Sequence, residues 1–98
     1  MGTYSFTKAA IQDLELICDA IAIENPDAAS NLFDDIRKQC VRVAKFPLSG
    51  KSYGTLKPNL RGFIIKNYVV FYTIDNENIT VIKIVSGYRD LEAIFRSG

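Results

Sequence analysis

Gly50-Lys51-Ser52 closes the stretch PLSGKS, which has the last three letters of a phosphate-binding loop. Such a loop works because an early glycine lets backbone N–H groups curl around phosphate, while lysine and a hydroxyl complete the grip on phosphate and magnesium. Here Lys45 stands where the early glycine is needed. Helical periodicity precedes the stretch in place of a buried strand, and turn residues follow it in place of a helix. The nucleotide reading fails on that context. The chain has no histidine and only Cys18 and Cys40, so zinc lacks a ligand set and Ser-His or Cys-His catalysis lacks a base. No metal or cofactor is expected. A nuclease without histidine would need lysines or arginines clustered to act as base, acid and electrostatic clamp.

The elements that must position these groups fit into one domain, residues 1–98. With 98 residues, 48% of them hydrophobic, the chain can bury about two-thirds of its unfolded surface around one core. Its formal charge is +1, so no broad field holds nucleic acid or presses the chain onto an acidic membrane, and any such contact must come from a local cluster. The N-terminus lacks the basic start and apolar run of a secretory signal, and no stretch approaches the ~20 apolar residues of a membrane span. A cytoplasmic protein is expected.

TYSF, residues 3–6, reads as a short strand, with Thr7 as cap of a first helix whose core face is Ile11, Leu14, Ile17, Cys18 and Ile21. Leu16, Ala20 and Ile23 form a second, narrower stripe, which calls for deeper burial or a docked partner. Asn25 and Pro26 then restart the chain as an antiparallel helix, with Ala29, Leu32, Phe33, Ile36, Cys40 and Val43 inward, until Pro47 forbids more helix. Both cysteines lie on apolar stripes, as reduced hydrophobes or as a cross-helix disulfide or reactive thiol. Residues 47–60, with two glycines and two prolines, read as a surface loop. Three strands follow, at 61–66, 68–75 and 79–86, joined by asparagine-rich turns into an antiparallel meander. The class is α+β: an N-terminal strand and a helical hairpin packed on a three-stranded sheet.

Helices can cover one face of that sheet only, and a half-exposed sheet should alternate apolar with polar residues. This one does not. Tyr68, Val70 and Tyr72 point one way and Val69 and Phe71 the other, while Val81 opposes Ile82. The second face is apolar and needs a cover, from the tail through Leu91, Ile94 and Phe95, from a partner, or from both.

Strand, helical pair with NPDAA between, FPLSGKSYGTLKPNLRGF, NYVVFYTID, ITVIKIV and SGYRDLEAIF resemble, in this order, the ParE branch of the RelE/ParE toxins of bacterial toxin–antitoxin modules. The resemblance runs through nearly the whole chain. It implies a small toxin neutralised by a ParD-like or related antitoxin, and a target that is either DNA gyrase, poisoned by binding, or messenger RNA cut on the ribosome. Gly62, Ile64 and Val69 stand where RNA-cutting relatives carry charge, and Phe95 replaces a tyrosine they use. The resemblance therefore implies gyrase poisoning without direct sequence-specific nucleic-acid binding, with ribosome-dependent cleavage as the alternative. The implied target-binding residues are Arg61, Arg89, Lys51, Lys57 and Phe95. The implied antitoxin contacts are Leu16, Ala20, Ile23, Tyr68 and Tyr72. Each has a plainer reading: Arg61 and Arg89 as ties to a nearby carboxylate or backbone carbonyl, the lysines as solvated charges, the tyrosines as half-buried sheet residues.

Overall fold

The computed structural model of the chain describes residues 2–87. Strand β1 is Tyr4–Phe6, α1 is Lys8–Glu24 and α2 is Pro26–Lys45. A 3₁₀ turn, Pro47–Ser49, leads into the two-residue strand β2, Lys51–Ser52. Strands β3, Arg61–Ile65, β4, Tyr68–Asp75, and β5, Asn78–Ser86, complete a sheet of order β1-β5-β4-β3-β2. The β1–β5 pair is parallel and the others are antiparallel. The expected meander is therefore the centre of a five-stranded sheet, extended at one edge by β1 and at the other by β2.

Local chemistry sets the boundaries. The Thr7 side chain accepts from the Ala10 amide and Asn25 from the Ala28 amide, so each helix starts at a side-chain cap, and Pro26 occupies a first-turn position where no N–H is needed. Asp27 in the first turn of α2 and Arg42 and Lys45 in its last turn match the helix dipole. Asn76 closes the β4–β5 turn at φ 58°, a conformation asparagine tolerates. In the β3–β4 turn the left-handed residue is Lys66, at φ 52°, and not its neighbour Asn67.

The helices cover one face of the sheet. Leu14, Leu32, Ile36, Cys40 and Val43 pack there on Phe63, Val70, Tyr72, Ile79, Val81 and Ile84. Ile11 and Phe33, both expected inside, are 45% and 42% exposed and border a groove instead. A bulge between Phe71 and Tyr72 sets Phe71 opposite Lys83 and Tyr72 opposite Val81, leaving Ile82 as the extra residue. Beyond it β5 has outrun β1, and the Ile84 amide is met by the carboxylate of Asp13 on α1 at 3.1 Å, with Lys83 Nζ 3.9 Å from the same oxygen.

The outer face is apolar, as expected, but its described cover comes from an unforeseen quarter. Residues 53–60, read from sequence as a surface loop, fold over it: Leu60 is buried with Phe71 and Val85, and Tyr53 and Leu56 pack against them beside Val69 and Ile82. The Tyr53 ring meets Phe71 edge-on at 5.0 Å, over Gly62, whose missing side chain leaves the room. Tail residues Leu91, Ile94 and Phe95 lie outside the described residues.

Cys18 and Cys40 are free thiols, Cys18 half-buried and Cys40 buried. Burial raises the Cys40 pKa from 9.0 to about 12, and partial burial with the Asp19 carboxylate nearby raises that of Cys18. The folded chain then holds the Cys40 proton after the unfolded chain has released it. Between pH 9 and about 12 this group subtracts about 1.4 kcal/mol of stability per pH unit and contributes nothing below that window. Denaturant titrations at pH 8 and pH 10 on the chain and on Cys40→Ala should show the alkaline loss shrinking in the variant; equal losses would contradict a buried thiol.

Candidate functional site

Gly50 is held at both its polar backbone atoms by side chains from the sheet. Its amide donates to the Tyr72 hydroxyl at 3.1 Å, and its carbonyl accepts from Arg61 Nη1 at 2.7 Å. The Tyr72 hydroxyl donates in turn to the Pro47 carbonyl at 2.6 Å. Three buried or half-buried contacts thus fasten the 3₁₀ turn to β3 and β4. Burial raises the Tyr72 pKa, against opposing effects from the Gly50 hydrogen bond and the Arg61 charge, so the phenol remains a donor at neutral pH.

This arrangement reassigns several residues. Lys51-Ser52 forms a β-strand, and no helix follows it among the described residues, so the phosphate-loop geometry is absent there. Arg61 takes its plainer reading, as a tie to a backbone carbonyl. Tyr72, expected to meet an antitoxin, is wholly buried with its hydroxyl engaged, because the inward side of β4 lies beneath α2; it is not part of any surface. Lys51 is exposed on the edge strand, its ammonium 5.4 Å from the centre of the Tyr53 ring, and Lys57 is exposed in the covering segment. Arg89 and Phe95 lie outside the described residues.

The second stripe of α1 is an exposed ridge. Leu16 is 71% and Ile23 86% exposed, with Ala20 between them. On one flank the ridge borders a hollow of about 470 Å³ lined by Leu16, Ala20, Ile21, Glu24, Tyr68 and Ser86. The structure therefore gathers Leu16, Ala20 and Tyr68, and leaves Tyr72 out. On the other flank a groove of about 560 Å³ runs between α1, β1 and α2 over Tyr4, Phe6, Ile11 and Phe33, rimmed by Glu15, Asp19 and Arg37. Sequence periodicity placed Ile11 and Phe33 in the core because a helical wheel shows which residues share a face and not what that face meets. No cluster of metal-binding side chains occurs among the described residues, and no described helix is long and apolar enough to cross a membrane.

A pinned loop, a helical pair with an apolar ridge, and a five-stranded sheet greasy on both sides define a small α+β protein. The fold is similar to that of a chain from the chromosomal ParDE TA system from P. aeruginosa, at a TM-score of 0.75 and 19% identity over 90% of this chain and 98% of that one. In sequence it is 28% identical over 94 residues to Toxin ParE3 of Caulobacter vibrioides, covering 95% of this chain and 94% of that protein. The family described as the ParE toxin of type II toxin-antitoxin system, parDE, matches residues 4–91, and the chain belongs to that family.

Proposed function

We propose that this toxin poisons DNA gyrase by binding it, so that breaks made by the enzyme persist, and that a cognate antitoxin holds it inactive. The observation that carries this reading is the outer face of the sheet. Leu60, Phe71 and Val85 fill it beneath Tyr53 and Leu56, where a nuclease needs water-facing groups that exchange protons. Arg61 is committed to Gly50, which favours adhesion over acid–base chemistry. In this reading Lys51 on the β2 edge and Lys57 in the covering segment, with Arg89 and Phe95, meet the target, and the ridge of Leu16, Ala20 and Ile23 with Tyr68 receives the antitoxin. Toxin and antitoxin work in the cytoplasm, where gyrase is.

Purified protein at micromolar concentration should inhibit supercoiling of a relaxed plasmid or accumulate linear DNA with gyrase, and added antitoxin should reverse the effect. Undisturbed supercoiling together with codon-positioned cuts in translated messages would transfer the function to the ribosome.

A further inference from the structure

The net charge of +1 conceals a strong segregation. Residues 1–36 carry seven Asp and Glu against one Lys, whereas residues 37–74 carry eight Lys and Arg and no Asp or Glu. In the fold, α1 and the first half of α2 are acidic, while the second half of α2, the segment to residue 60 and β3 are basic. Lys38, Arg42 and Lys45 stand at i, i+4 and i+7, on one side of α2, over about 10 Å. All three are exposed. Lys66 pairs with Asp35 at 3.8 Å and Lys83 with Asp13 at 3.9 Å; no such ion pair joins a described carboxylate to these three, although Asp34 stands one turn before Lys38 and Glu77 lines a hollow with Lys45.

Asp34, at i−4, offsets part of the charge of Lys38, but Lys38, Arg42 and Lys45 still repel one another at this spacing, which costs the helix stability unless an anion is supplied. The helix dipole rewards Arg42 and Lys45 in the last turn, yet its effect fades before Lys38, two turns from the end. Nor does it explain why the adjoining Phe46 and Leu48 are 66% and 72% exposed. A peptide partner would bury such groups in a cleft, but the two grooves described above open along α1, and a third hollow, of about 350 Å³ beside Lys45, Pro47, Asn76 and Glu77, takes in neither Lys38 nor Arg42. A row of cations on a convex helix, with apolar side chains beside it, suits a polymer that repeats its charge. Duplex DNA carries one charge per ~1.7 Å of axis and presents several phosphates to such a row.

We propose that the face of α2 bearing Lys38, Arg42 and Lys45, with Phe46 and Leu48 at its end, binds the phosphate backbone of duplex DNA without sequence preference. The choice of duplex DNA over RNA rests on the gyrase reading, in which the toxin works beside DNA. Contact through this face would hold the toxin where the enzyme's breaks are made.

The test is fluorescence anisotropy of a labelled mixed-sequence duplex with the full chain, gyrase absent. Binding should be micromolar at low salt and weaken steeply as salt rises. Lys38→Gln/Arg42→Gln/Lys45→Gln should bind at least tenfold more weakly at low salt, with the slope of log affinity against log salt flatter by about 2 to 3. The charge-reversed Lys38→Glu/Arg42→Glu/Lys45→Glu should fall further, thermal melts confirming that both variants fold. No binding up to about 100 μM at low salt, or an unchanged slope in both variants, overturns the proposal. Tighter binding to an RNA hairpin overturns the assignment to DNA, and displacement by poly-glutamate as effective as by unlabelled duplex reassigns the face to acidic protein. DNA binding without gyrase inhibition would refute the proposed function and leave this inference standing, and inhibition without DNA binding would do the reverse.

Discussion

Gly50→Ala is expected to lower the melting temperature by roughly 10 to 20 °C. The glycine is not there for backbone freedom: its φ of −73° and ψ of 155° suit any residue. It is there for room. A methyl at Gly50 would collide with the Tyr72 hydroxyl and lie 2.8 Å from Tyr72 Cε1 and 2.9 Å from the Gly62 carbonyl oxygen. None can yield cheaply, because Tyr72 is wholly buried and Gly62 is paired in the sheet. Overpacking of this kind costs about 1–3 kcal/mol, and forcing the hydroxyl away from Pro47 and Gly50 adds about 1–3 kcal/mol for buried polar groups left unpaired. Against a total stability of about 5–15 kcal/mol this is a large fraction. Tyr72→Phe keeps the ring and should lose only the hydrogen-bond share, about 1–2 kcal/mol. A double-mutant cycle of the two, followed by chemical denaturation, should show clear non-additivity; additive losses would mean that Gly50 and Tyr72 do not meet.

The second large effect is on partnership and leaves the fold alone. Leu16→Glu with Ile23→Glu should weaken antitoxin binding by about 100-fold or more, since burying each side chain against a partner contributes about 1.5–3 kcal/mol. Both positions are exposed on α1 and glutamate is a good helix former, so the melting temperature should hardly move. Calorimetry with the cognate antitoxin gives the affinity, and co-expression gives the biological reading: the variant should escape neutralisation and arrest growth. Ile64→Glu, exposed on the far side of the sheet, serves as the control. If the α1 variant is neutralised as well as the parent chain, the antitoxin docks elsewhere.

Much of this molecule could be read before any coordinates. Thr7 and Asn25 cap the helices where their side chains announced it, and Pro26 and Pro47 bound α2 as a ring without an N–H must. The meander strands fall within a residue of their expected limits. The apolar second face of the sheet was legible in the failure of β4 to alternate. The stripe of Leu16, Ala20 and Ile23 was legible as a surplus of apolar residues on a helix that needs only one core face.

The segment 47–60 was misread as a plain loop because glycine and proline mark where regular structure stops and say nothing about what the irregular chain then touches. Its Tyr53, Leu56 and Leu60 stand at i, i+3 and i+7, but Gly54 and Pro58 between them argue against a helix, so the spacing did not reveal that they close the outer face. Tyr72 carries the same lesson: strand alternation gave its side, but not that Pro47 and Gly50 would satisfy its hydroxyl.

Local sequence determined the elements, their caps and turns, and the two-sided greasiness of the sheet, because these depend on neighbours within a few residues. Tertiary structure alone decided that Arg61 and Tyr72 pin Gly50, that Ile11 and Phe33 border a groove, and that Lys38, Arg42 and Lys45 form no ion pair with a described carboxylate. Those outcomes depend on which distant groups arrive within a few ångströms, and a one-dimensional pattern does not encode that distance.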